Sequence, residues 1–171
     1  MVPTQRILVA ALDDSPGVLN RISSLFRRRR YNIVSLNVGR TNKPGVSRMT
    51  VVVDGDEHMS RQLVANLKKL ECVLDVEDIT GRSSVVRDLA LMKVVVEPHR
   101  RMEVFQICNV YQARVVEITT EMMMIEMTGA PSEIRKLVAV LEPLGLSEMV
   151  HCGAVAMPYD RVTAAAASRA A

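Results

Sequence analysis

The sequence predicts an α+β fold built from two ferredoxin-like βαββαβ units in tandem. Three observations carry this expectation. The spacing of apolar residues alternates between the strand period of two and the helix period of 3.6 in the order β-α-β-β-α-β. That order is read once within residues 1–80 and again within 87–158, with a polar linker at 81–86. With 171 residues, 49% hydrophobic and 24% charged, the chain can supply two small cores without metals or disulfides.

Arg6 to Leu12 is a short apolar run, read as a strand buried on both faces. Ser15 and Pro16 form a favoured N-cap and first helical position, and Val18, Leu19, Ile22, Leu25 and Phe26 make one helical stripe. The helix is expected to start at Pro16 and to end among Arg27-Arg28-Arg29-Arg30, whose charge suits the carbonyl end of the dipole. From Asn32 to Arg40, Val34, Leu36 and Val38 alternate with Ser35, Asn37 and Gly39, the pattern of a strand with one polar face. Ser47 to Asp54 is a Val-rich strand. Met59, Leu63, Val64, Leu67 and Leu70 mark a second helix, and Val73 to Ile79 a closing strand.

The second unit repeats the order of elements. Leu89 to Glu97 reads as a strand and His99 to Gln112 as a helix with Met102, Phe105 and Cys108 inward. Strands are expected over Val115 to Thr119 and Met122 to Thr128. Ser132 is the expected cap of a helix burying Ile134, Leu137, Val138 and Leu141, and Leu146 to Met157 is expected as one final strand. Residues 159–171, Ala-rich, are expected to be a disordered tail.

Composition excludes several function classes. The longest apolar run has six residues against about 18 for a membrane span, and it is too short and too soon followed by Asp13 and Asp14 for a signal peptide. Three widely spaced cysteines suggest neither a disulfide framework nor a CxxC site, so a cytoplasmic protein is expected. The net charge of +3 lies in the first half, where 12 Lys and Arg face 9 Asp and Glu, and it would vanish without the arginine run. RNA-binding sheets of this fold stack bases on aromatics, which the middle strands lack, so nucleic acid is not expected as a partner.

Candidate chemistry is sparse. His58 and His99 precede helices as solvated turn residues. His151 and Cys152, adjacent in a strand, point to opposite faces and cannot share one metal. Met122-Met123-Met124 reads as core filling. No nucleophile, base and oxyanion set is present, so no catalytic residue and no metal site is assigned.

The informative stretch is Asp13-Asp14-Ser15-Pro16-Gly17-Val18-Leu19. It joins a strand to a helix N-terminus, where free N–H groups and the dipole can hold a carboxylate, while a neighbouring Asp can receive an ammonium group. Those are the two ends of an amino-acid zwitterion. The same residues also suit a plain, well-capped turn.

Asp14-x-Pro16-Gly17-Val18-Leu19, Leu25-Phe26, Tyr31-Asn32-Ile33-x-Ser35-Leu36-x-Val38-Gly39 and Ser47-Arg48-Met49-Thr50 resemble the N-terminal ACT domain of acetolactate (acetohydroxyacid) synthase small subunits. Arg87 to Val94, Ile125 to Gly129 and Leu141 to Gly145 resemble the C-terminal domain of the same family, so the likeness spans residues 5 to about 158. It implies a non-catalytic regulatory subunit that activates the catalytic (large) subunit and confers feedback inhibition by valine in branched-chain amino acid biosynthesis. Thiamine diphosphate, magnesium and FAD are implied in that partner, and none in this chain. A homodimer through the ACT domain is implied, with valine held by Asp14, Ser15, Pro16, Gly17, Val18 and Leu19 of one copy and Asn32 and Ile33 of the other. The second strand of a split βαβ sheet lies at an edge, and pairing it about a two-fold axis would bring those two sets together. Arg30 stands where the family has Gly, implying a left-handed turn on a residue poorly suited to it. A stand-alone tandem-ACT amino-acid sensor is the alternative.

Overall fold

The computed structural model describes residues 5–159. Two compact units divide them, Val86–Gly153 forming one and the residues on either side of that segment the other.

The first unit runs β1 (Gln5–Asp13), α1 (Val18–Arg29), β2 (Ile33–Arg40), β3 (Val46–Asp54), α2 (Glu57–Leu67) and β4 (Val73–Asp78). Its antiparallel sheet has the order β2-β3-β1-β4, so β2 is an edge, as expected. Leu8 and Leu12 of β1, Met49, Val51 and Val53 of β3, and Ile22, Phe26, Leu63 and Leu67 of the helices form the core between sheet and helices. Each such side chain contributes about 1.5–3 kcal/mol through burial.

Local chemistry explains the boundaries, and in places corrects the expected ones. Gly17, at φ 85°, is the N-cap of α1, so the helix starts at Val18 and Ser15 makes no side-chain cap. Arg30 does take the left-handed turn, at φ 56°. Its N–H donates to Arg27 O at 3.2 Å, Tyr31 N–H donates to Phe26 O at 3.1 Å, and the two rings meet edge to face at 5.9 Å. This is a Schellman ending completed by an apolar contact. In β2 a bulge between Ile33 and Ser35 shifts the register, turning Ile33 onto the core and leaving Val34 exposed against the expected alternation. Asp56 caps α2 by accepting from Met59 N–H at 2.8 Å.

The second unit comprises β5 (Ser84–Val95), a 3-10 turn (Pro98–Arg100), α3 (Arg101–Tyr111), β6 (Arg114–Ile118), β7 (Met122–Gly129), α4 (Pro131–Leu141), a 3-10 turn (Glu142–Leu144) and β8 (Leu146–His151). Its strands are ordered β6-β7-β5-β8, the same topology as the first sheet. Met92, Val104, Cys108, Met123, Ile125, Leu137 and Leu141 fill its core, and burial pushes the Cys108 thiol pKa up. Met123 is thus core, as read from the sequence. Met102, expected inward, is 67% exposed, because Val104 and Cys108 define the inner face of α3. Ser132 lies inside the first turn of α4. The cap is Ala130, whose N–H donates to Glu133 Oε2 at 3.1 Å.

Two boundaries differ from expectation. The strand β5 already begins at Ser84, within the expected linker. The expected final strand is two, β8 and β9 (Val155–Pro158), separated by Gly153 at φ 84°. β9 belongs with the first unit. There Ala156 O accepts from the Arg48 guanidinium at 3.2 and 3.3 Å, and Ala156 N–H donates to Thr50 Oγ1 at 3.3 Å. Arg48 and Thr50 lie on the sheet face turned away from α1 and α2, where Val9, Thr50 and Val52 are buried. β9 thus hydrogen-bonds to this face of the sheet through Ala156. The expected tail lies, from Asp160 on, outside the described residues.

Candidate functional site

The β1–α1 connection forms one wall of a cleft of about 390 Å³. The loop is held at both sides, Asp13 N–H donating to Cys72 O at 3.0 Å and Asp14 N–H to Gly45 O at 2.9 Å. Gly17 then turns the chain into α1 in the left-handed region, a conformation that only glycine adopts without strain. No side chain caps α1 and no acidic residue occupies its first turn; Val18 N–H donates to Ser15 O at 3.5 Å, and the following first-turn N–H groups face an anion with no side-chain acceptor in their way.

Asp14, Ser15, Gly17, Val18 and Leu19 line this cleft, as their sequence suggests. Pro16 does not. Leu12, Asp13, Asn20, Val38 and Ser47 complete the wall. Val18 is buried and Leu19 is 46% exposed at the rim, giving the cleft an apolar side beside its polar one. The Asp14 carboxylate is engaged on both oxygens: Ser47 Oγ donates to Oδ1 at 3.1 Å, and Arg40 Nε lies 3.3 Å from Oδ2. Arg40, Ser47 and Val38 carry no local sequence signal for this role. Strand pairing alone brings them there, Ser47 standing opposite both Leu12 and Arg40.

Asn32 and Ile33 lie elsewhere in the same chain. Asn32 Nδ2 donates to Asp54 Oδ2 at 2.9 Å, and Ile33 pairs with Val53. Along β3, Val53 is about 20 Å from Ser47 at the strand rise of 3.3 Å per residue. A single copy therefore does not bring the two expected halves of the site together.

The remaining candidates are local. His58 contacts the Gln62 amide at 2.9 Å, His99 lies 3.3 Å from Glu97, and His151 Nδ1 lies 2.9 Å from Asp88 Oδ2. Among the described residues no group of three or more His, Cys, Asp or Glu could hold a metal ion, and no helix is long and apolar enough to cross a membrane.

Comparison with known proteins bears on both units. Residues 8–75 match the family model described as AHAS small subunit-like ACT domain, and residues 87–160 match that of the small subunit of acetolactate synthase. The acetolactate synthase small subunit of Mycolicibacterium smegmatis is 40% identical over 155 residues, covering 91% of each chain. The chain belongs to the acetolactate synthase small subunit family. The Bacillus subtilis small subunit is 40% identical over 153 residues, 89% of each chain. The crystal structure of the Thermotoga maritima small subunit superposes with a TM-score of 0.84 at 29% identity, covering 93% of this chain and 99% of that one. The Thermotoga maritima small subunit thus shares the fold of both units. The first unit is an ACT domain with ferredoxin-like topology.

Proposed function

We propose that this chain is the regulatory subunit of an acetolactate synthase: it activates the catalytic subunit and makes it subject to feedback inhibition by valine in branched-chain amino acid biosynthesis. The carrying observation is the cleft at the start of α1, where an uncapped helix N-terminus, Gly17 at positive φ and the Asp14 carboxylate lie within one small volume beside the edge strand β2. The effector carboxylate meets the first-turn N–H groups, its ammonium meets Asp14, and Val18, Leu19 and Val38 contact its branched side chain.

The remaining contacts come from a second copy. Antiparallel pairing of β2 with its copy satisfies the free edge and carries the N-terminal end of one β2 toward the C-terminal end of the other. Asn32 and Ile33 of the second copy then approach the Gly17 cleft, which their own chain cannot do. Effector binding and dimer geometry are linked in this arrangement, and a coupling of about 1–3 kcal/mol to the catalytic partner lies in the ordinary range for effectors. The chemistry remains with the cytoplasmic catalytic subunit and its thiamine diphosphate, magnesium and FAD.

Reconstitution tests this reading. The purified chain should form no acetolactate from pyruvate by itself, should raise the activity of its catalytic subunit, and should render that activity sensitive to valine. Turnover by the isolated chain, or an unaltered catalytic subunit on mixing, contradicts it.

A further inference from the structure

The effector cleft leaves the arginine run of α1 without a role. Arg28 and Arg29 line a second cleft of about 410 Å³ in the first unit, together with Leu25, Asn66, Lys69 and Leu70. The cleft lies between the C-terminal ends of α1 and α2. Among the described residues, no ion pair engages Arg27, Arg28, Arg29, Arg30, Lys68 or Lys69, whereas Arg6, Arg40, Arg61, Arg100 and Arg114 each face a carboxylate. Helix C-termini favour cations, which accounts for Arg27, Arg28 and Arg29 in the last turn of α1. It does not account for the convergence of Arg28 and Arg29 of α1 with Lys69, just past α2, in one cleft. Like charges gathered in one cleft without a carboxylate partner repel one another, a cost that an anionic partner relieves.

We propose that this basic cleft docks an acidic face of the acetolactate synthase catalytic subunit, an inference that rests on the regulatory role argued above. The surroundings select a protein partner. A single-stranded nucleic acid would need exposed rings to stack its bases, but Phe26 is 2% exposed and the Tyr31 ring packs edge-on against it, and a duplex would need a wider basic surface than a chain of net charge +3 offers. An anionic membrane would need an apolar helix face to insert, but Val18, Ile22, Leu25 and Phe26 of α1 are all committed to the core. Carboxylate side chains of a protein surface need only what the cleft offers: guanidinium and ammonium donors from Arg28, Arg29 and Lys69, and the Asn66 amide. The placement also suits regulation. The 12-residue helix α1 starts at the effector cleft and ends at this one, about 18 Å away at 1.5 Å per residue, so one rigid element borders both sites.

The test is an activity titration of the catalytic subunit with wild-type chain and with the triple variant R28E/R29E/K69E, at low and at raised ionic strength. The half-saturating concentration of the variant should rise by about ten-fold or more at low salt, and that of the wild type should rise with salt. Maximal activity at saturation and valine affinity by calorimetry should stay within about two-fold of wild type, which also reports an intact fold, and R28K/R29K should titrate near wild type. Equal half-saturation for the triple variant and the wild type overturns the docking site while leaving the regulatory reading intact. Absence of any association by the wild type overturns both. Tighter binding of the wild type to a random-sequence DNA duplex than to the catalytic subunit at physiological salt, lost in the triple variant, also overturns the proposal.

Discussion

Arg40 Nε lies 3.3 Å from Asp14 Oδ2, so the acid that the proposed effector cleft would offer to an ammonium group is already faced by a cation of its own chain. The two charges differ in commitment. Arg40 is 89% exposed and its pairing is worth at most about 1 kcal/mol, whereas Asp14 is also held by Ser47 in the cleft wall. Asp14→Asn should therefore weaken valine binding by about ten-fold or more, while Arg40→Ala should leave it unchanged or tighten it by about two-fold. Calorimetry of both variants decides. A large loss with Arg40→Ala would show that the arginine holds the effector itself.

Gly17 sits at φ 85° with nothing within 4 Å of where a Cβ would stand. Gly17→Ala should cost only the backbone strain, about 1 kcal/mol. Gly17→Asp adds a carboxylate at the mouth of the cleft and should abolish valine inhibition while the reconstituted enzyme remains activated. Persistent inhibition with Gly17→Asp would place the effector elsewhere.

Asp78 links three elements: it accepts from Arg6 at 2.6 and 3.0 Å, from Thr80 N–H at 2.8 Å, and from the buried Ser60 hydroxyl. Burial pushes its pKa up, but the hydrogen bonds from Ser60, Thr80 and Arg6 outweigh burial and hold it below the ordinary carboxylate value. A pKa depressed on folding stabilises the protein above the unfolded pKa of about 3.9, and that stability is lost as the pH falls through the folded value. Asp78→Asn should thus be less stable than wild type at pH 7, with the difference shrinking below about pH 4. Urea titrations at pH 7 and pH 3 measure it, and an equal deficit at both would refute the assignment.

At Gly145, φ is 102° and a Cβ would stand 2.2 Å from the backbone carbonyl oxygen of Val95. Neither atom can step aside cheaply, because Val95 N–H donates to Gly145 O at 2.8 Å. Gly145→Ala should destabilise the second unit by about 3 kcal/mol or more, read as a lowered denaturation midpoint. A variant as stable as wild type would contradict the close approach.

Arg30→Gly should act in the opposite direction. The Schellman bonds of α1 are already made, so removing the Cβ relieves strain and should add about 1 kcal/mol of stability, visible as a higher Tm. A lower Tm would mean that the arginine side chain has a structural role of its own.

What the sequence determined by itself was local: which segments have helix or strand period, that both halves follow the same order, and that Asp14 to Leu19 form a turn into a helix. These follow from backbone preferences and from side chains a few residues apart. Only the tertiary structure decided which distant residues share a surface. Pairing with β3 brought Arg40 and Ser47 to the Asp14 loop and placed Asn32 and Ile33 at the other end of the sheet. A bulge turned Val34 outward, the ends of α1 and α2 made one basic cleft from two separate charge runs, and Ala156 of β9 came to hydrogen-bond with Arg48 and Thr50 of β3. The physical reason is the same in each case. Periodicity reports which face of an element is apolar, whereas register, bulges and the return of a strand are settled by burial and hydrogen bonding between residues far apart in the chain.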